Sequence, residues 1–169
     1  MTITRRMHPT MKRSLFTFGI IVACIVIATA FYIFYGHSSV TAGAPPADFP
    51  GYTATAVQID GNTIHAAIAD TPALQELGLG DRDGLPVGEG MLFVFNVDKE
   101  YAFWMKDMHF SIDMVWISAS KNIVYMAQDV SPATYPEDFV PTSPARYVLE
   151  LPAGYAQVHG FKVGDVAIF

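Results

Sequence analysis

Hydrophobic and polar positions divide this chain into two regimes. From Leu15 to Tyr35 the residues run LFTFGIIVACIVIATAFYIFY without a single charge. At a helical rise of about 1.5 Å per residue, such a run just crosses a hydrocarbon core of about 30 Å. A helix satisfies its own backbone groups in lipid. The pattern therefore predicts one N-terminal transmembrane helix over 15–35, preceded by a basic segment over 1–14. Residues 36–50, GHSSVTAGAPPADFP, are small, polar and rich in Pro and Gly, and read as a linker. Beyond it, over 51–169, apolar residues come in short alternating runs broken by turn signals.

Those runs predict strands. Thr53 to Ile59 is rich in β-branched residues, Asp60-Gly61 is a hairpin signal, and Thr63 to Ala69 returns. Thr71 can cap a helix that has Pro72 in its first position, continues through ALQEL and stops at Gly78 or Gly80. Leu74 and Leu77 are expected to pack together on the sheet. Further strands are predicted over 91–95, 101–106, 112–117, 123–126, 147–151 and 166–169, with a polar turn at 96–100. The four prolines within 129–146 predict a long loop, and 152–159 a short helix. The fold class is thus all-β: a compact β-sandwich or barrel of about eight short strands with one or two short helices.

Charge orients the chain. Arg5, Arg6, Lys12 and Arg13 precede the apolar run, and no acid does. The remainder carries six Lys and Arg against all sixteen Asp and Glu, a formal −10. The positive-inside rule places the N-terminus in the cytoplasm and the β domain outside, as a single-pass protein of a bacterial inner membrane. A cleaved signal peptide is the competing reading, with Val40-Thr41-Ala42 or Ala42-Gly43-Ala44 as the site. The run is longer than a signal peptide's usual 7–15 apolar residues, which favours retention. Ile21-Val22-Ala23-Cys24 loosely matches a lipidation site, but a Cys within a membrane helix accounts for it better. The acidic exterior argues against nucleic acid as a partner.

Cys24 is the sole cysteine, so the β domain holds no disulfide, thiolate cluster or cysteine nucleophile. G-x-S-x-G, H-E-x-x-H, P-loop and C-x-x-C motifs are absent. Asp81-x-Asp83-Gly84 lacks the remaining ligands of a calcium loop and reads as a solvated turn. His65, His109 and His159 show no ligand spacing. No catalytic residue, metal site or cofactor is assigned.

The densest segment is 90–117, GMLFVFNVDKEYAFWMKDMHFSIDMVWI. Strand alternation puts Ala102, Trp104 and Lys106 on one face, and Tyr101, Phe103 and Met105 on the other. Lys106, Asp113 and Glu150 are charges set in or beside apolar strands, where an unpaired charge is costly. Arg82 and Lys106 are the cations, and Asp113 and Glu150 the anions, that such pairing would use. Arg82, Trp104, Lys106, Asp113 and Glu150 are the candidate binding residues. The competing account is a set of structural ion pairs with Trp104 and Met105 in the core.

GMLFVF, FWMK, the Ile112-Asp113 pair, VLEL followed by Ala153-Gly154, and Val163-Gly164-Asp165 together resemble the family known as domain of unknown function 192. Gly78 to Arg82, GLGDR, looks like that family's G-L-M-x-R region, with Leu79-Gly80-Asp81 occupying the stretch that leads to Arg82, an imperfect local match. The resemblance spans 57–169 and falls on Arg82, Gly90, Met91, Phe103, Trp104 and Met105. It continues at Lys106, Asp113, Glu150, Gly154, Gly164 and Asp165. It implies a compact β-sandwich-like domain, often behind a signal or anchor, and no established activity. Gly90 and Gly164 are expected in turns.

Together these features point to an envelope domain anchored through 15–35 that binds a small molecule, a glycan or an envelope protein without performing chemistry. Two alternatives stand beside it. One is a hydrolase with Asp113 or Glu150 as general base, which paired carboxylates across a cleft would favour. The other is an assembly role using the 129–146 loop.

Overall fold

The computed structural model describes residues 49–169. The predicted transmembrane helix over 15–35 and most of the linker lie outside them. Among the described residues no helix is long and apolar enough to cross a membrane.

The chain begins with a hairpin, β1 (Ala54–Ile59) and β2 (Asn62–Ala69). Asp60 and Gly61 between them both take positive φ, 47° and 78°. This is the backbone that a tight two-residue hairpin requires and that Asp-Gly tolerates. Helix α1 (Pro72–Leu77) follows, with Thr71 Oγ1 accepting from the Leu74 amide at 3.3 Å and Pro72 at the first position. The Gln75 side-chain amide donates to the Ala69 and Val94 carbonyls, tying the helix to the sheet. Leu74 packs on the core, but Leu77 is 52% exposed. The expected Leu74–Leu77 stripe is therefore only half realised.

Next come β3 (Glu89–Lys99), β4 (Ile112–Ile117), β5 (Ile123–Val130), β6 (Ala145–Pro152), a short α2 (Tyr155–Val158) and β7 (Ala167–Ile168). They form one seven-stranded sheet, ordered β5-β4-β6-β3-β2-β1-β7. Pairing is antiparallel except between β2 and β3, where α1 lies on the crossover. The sheet curls until its two edges meet at one end. Ile123 N–H donates to the Asp165 carbonyl, Gly164 N–H to that of Ile123, and Ala167 N–H to that of Lys121. The segment entering β7 thus links β1 to the start of β5. The result is a half-barrel, not the sandwich offered as an alternative.

The eighth predicted strand, 101–106, is absent. Only Phe103 pairs there, exchanging both backbone hydrogen bonds with Phe139. Its side chains still alternate, with Met105 buried and Ala102, Trp104 and Lys106 exposed. The packing of a strand exists without the ladder, and Asp107 at φ 57° turns the chain away. Conversely, β3 runs through the polar 96–99 stretch where a turn was expected, because Lys99 pairs with Ala145 beyond a register shift.

Each sheet face carries its own core. One buries Met91, Phe93, Met105, Met114, Trp116 and Val148. The other buries Val57, Ile64, Val115, Leu149, Leu151 and Tyr155. Asp113, fully buried, organises the second face. One carboxylate oxygen accepts from the amides of Asp129 (2.8 Å) and Gly154 (3.0 Å), the other from Ala156 (2.8 Å). The Asp129 amide lies where β5 bulges against β4, and a bulge leaves such groups off the ladder. Gly154 and Ala156 lie at the start of α2, which has no side-chain cap of its own, so the sheet supplies the acceptor.

Gly90 sits inside β3, not in a turn. A Cβ there would lie 2.8 Å from the Glu150 carbonyl oxygen and 3.1 Å from Ile64 Cγ2. Gly164, at φ 100°, does occupy a turn, which the Asp165 carboxylate closes by accepting from the Lys162 amide.

Two stability changes follow. Asp113→Ala leaves three amides, one in a buried and two in part-buried hydrogen bonds, without their charged acceptor and should cost about 3 kcal/mol. Gly90→Ala should cost about 1–3 kcal/mol through overpacking. Urea unfolding of each variant beside the parent protein checks both. Parent-like midpoints would remove these residues from the account of the fold.

Candidate functional site

On the face opposite Asp113 lies a cavity of about 380 Å³. Three segments enclose it: the sheet around β3 and β6, the end of α1 with the turn over 78–81, and the irregular stretch over 101–108. Each is where it is for a local reason. The α1 helix must stop at Gly78, whose φ is 52°. The following turn is pinned by the Asp81 amide donating to the Asp107 carbonyl at 2.8 Å. The 101–108 stretch is anchored by the Phe103–Phe139 pair, by Met105 in the core and by Trp116 Nε1, which donates to the Tyr101 carbonyl at 2.9 Å.

The walls are aromatic. Phe95 stacks on Tyr101 with centroids 3.6 Å apart, and Phe93 meets Phe103 edge-on at 4.8 Å. Trp104, 55% exposed, lies edge-on to Tyr135 at 6.5 Å. Tyr101 Oη donates to the Val97 carbonyl. Desolvation raises its pKa, with Arg146 opposing and Asp98 adding.

Glu150 reaches the cavity from the middle of the sheet. It pairs with Met91 on β3 and with Met114 on β4, and directly opposed residues share a face. Its side chain therefore rises among the residues of the first core. It is 5% exposed, and Oε2 is buried without a hydrogen-bond partner. Burial pushes its carboxyl up from 4.5 to about 8, so at neutral pH it stays largely protonated.

The five sequence candidates divide. Trp104, Lys106 and Glu150 line the cavity; Arg82 and Asp113 are not among its lining residues. The Arg82 guanidinium lies over the Phe49 ring at 4.0 Å. Asp113 is on the other sheet face, since it pairs with Leu151 whereas Glu150 pairs with Met114. The expected buried ion pair gives way to a surface contact, Lys106 Nζ to Asp107 Oδ2 at 3.8 Å. Sequence reasoning did not single out Phe93, Phe95, Tyr101 and Phe103 as walls, nor Glu76, Asp81 and Asp107 as lining acids. The aromatic density of 90–117 was the available signal, and it looks the same for a core as for a cavity. Among the described residues no cluster of His, Cys, Asp or Glu could hold a metal ion.

A curled sheet with an aromatic, ligand-sized cavity, lined by one of its two buried carboxyls, defines the class: a small β domain with a preformed pocket. The chain belongs to the family domain of unknown function 192, Uncharacterized ACR, whose model matches residues 55–169. The resemblance noted in the sequence is thereby shown. No curated protein sequence matches the chain. Two crystal structures share the fold. A protein of unknown function from Novosphingobium aromaticivorans DSM 12444 is 24% identical with a TM-score of 0.70, over 78% of this chain and 94% of that one. A protein described as a candidate transcription regulator, from Sinorhizobium meliloti 1021, is 28% identical with a TM-score of 0.65, over 69% and 94%.

The Glu150 carboxyl makes stability depend on pH with a definite sign. Between 4.5 and about 8 the folded domain holds a proton that the unfolded chain has released. Stability should therefore fall as pH rises through that window and level off above it. Glu150→Gln should remove this slope and be the more stable protein at pH 8, by on the order of a few kcal/mol. Denaturant titrations at several pH values check it, and parallel profiles for the two proteins would contradict it.

Proposed function

We propose that this protein is a membrane-tethered extracytoplasmic binding domain that takes a small organic molecule into the cavity over β3 and β6 and does no chemistry of its own. The observation that carries the reading is Glu150, a buried carboxyl with an unpartnered oxygen, which lines a cavity of mixed aromatic and charged walls. A buried polar group left unpaired costs stability, and a ligand that supplies the partner regains it. The cavity volume falls in the range of small-molecule sites, about 300–1,000 Å³. Tethering rests on the uncharged 15–35 run and the basic residues before it.

The hydrolase alternative loses its strongest pair. Asp113 and Glu150 project from opposite faces of the sheet, and both Asp113 oxygens already accept backbone amides. Two carboxylates flanking a scissile bond must face one cleft. The Sinorhizobium protein is described as a candidate transcription regulator; for this chain, a role exercised by binding DNA sits poorly with a formal −10 after residue 35, because phosphate contacts need cations.

Two measurements test the proposal. In full-length protein held in a neutral maltoside detergent, small aromatic fragments should shift the amide resonances of Gly80, Phe93 and Trp104 and leave those of β1 and β7 unmoved. Shifts elsewhere only, or conversion of a fragment to product, would defeat the binding reading. A C-terminally tagged chain should fractionate with membranes and be cut by protease added outside the cytoplasmic membrane. Recovery of the intact full-length chain from the soluble cytoplasm would defeat the tether.

A further inference from the structure

We propose that the cavity is a site for an organic cation: an ammonium group carried on a compact apolar or aromatic body. The inference rests on the reading of the cavity as the binding site, and adds the charge and shape of what enters.

Three observations carry it. The first is the wall. Phe93, Phe95, Tyr101, Phe103 and Trp104 gather around one space, and aromatic faces present the negative side of their quadrupole to a cation. The second is the balance of charge. Glu76, Asp81, Asp107 and Glu150 line the cavity against Lys106 alone, and Lys106 lies 3.8 Å from Asp107. An entering anion would meet four carboxyl groups. The third is independent of both. Glu150 is 5% exposed, shares the cavity face of the sheet with Phe93, and has an oxygen with no donor. An ammonium group supplies that donor together with the opposite charge, and a charge-assisted hydrogen bond is about twice as strong as a neutral one. A neutral ligand would supply at most a hydrogen bond.

Binding then carries a proton signature. In the empty domain burial holds the Glu150 carboxyl at about 8. A cation beside it favours the carboxylate. The O–H bond of Glu150 breaks on binding, the proton passes to the solvent, and the ammonium takes its place as the donor. The other charged groups lining the cavity are Glu76 from the end of α1, Asp81 from the turn over 78–81, and Lys106 and Asp107 from the 101–108 stretch.

The test uses three probes of one shape, benzylamine, benzyl alcohol and benzoate, titrated into the full chain in neutral detergent. Chemical-shift changes at Phe93 and Trp104 locate binding. Calorimetry at pH 7 in two buffers of different ionisation enthalpy counts protons. Benzylamine should bind about tenfold or more tighter than benzyl alcohol, benzoate should not bind, and benzylamine should release a proton to the buffer. Glu150→Gln should lose both the preference and the release. Equal or tighter binding of benzyl alcohol or benzoate at these residues would overturn the cation assignment while leaving the cavity as the binding site. No shift from any probe would overturn both. Should Glu150→Gln fail to fold, the proton count on the parent protein decides, and buffer-independent heats would overturn the proposal.

Discussion

The position of β6 in the sheet is the constraint from which the site follows. This strand lies between β3 and β4 and has a ladder on both edges, so its side chains have only two directions available. Strand periodicity sends Val148 and Glu150 to one face, and Leu149 and Leu151 to the other. A slip of one residue would exchange the two sets. It would put the Glu150 carboxyl among Ile64, Val115 and the α2 helix, and a leucine in the cavity. The buried hydrophobic sets on both faces hold the register against that slip.

The two buried acids on this frame illustrate how burial and function diverge. Asp113 and Glu150 are both carboxyls in apolar central strands. Asp113 meets three amide donors: one at the β5 bulge and two at the start of α2. Its burial is offset, and it stitches three elements together. Glu150 meets no donor at Oε2, and burial raises its pKa. A group kept at such a cost beside an open cavity is where a binding role is expected. The domain has enough core on both faces to tolerate it.

The stretch over 101–108 gains its role from what it does not do. Had it paired as a full strand, Trp104 and Lys106 would lie on a continuous sheet surface. It is instead held at Phe103, Met105 and the Tyr101 carbonyl and bends at Asp107. The space between it, the 78–81 turn and the sheet is the cavity. Binding residues are often carried on loops that a rigid scaffold positions in this way.

Local chemistry made much of this legible in the sequence. The Asp60-Gly61 hairpin, the Thr71-Pro72 helix start, and the strands over 54–59, 62–69, 112–117 and 145–152 follow from turn residues and alternation that act over a few positions. So does the in-and-out order of 101–106, although its backbone does not pair. The family pattern was legible because its residues serve these local tasks. Glu150 and Asp113 stood out as charges in apolar strands. What set them apart was tertiary: strand order decided that they face opposite ways, and the distant β5 bulge and α2 decided that only Asp113 finds donors. The sheet's curl, the cavity and the acids of the 78–81 turn beside it likewise depend on contacts between segments far apart in the chain. Local pattern encodes which face a residue takes, whereas what it meets on that face is fixed only when the strands are laid side by side.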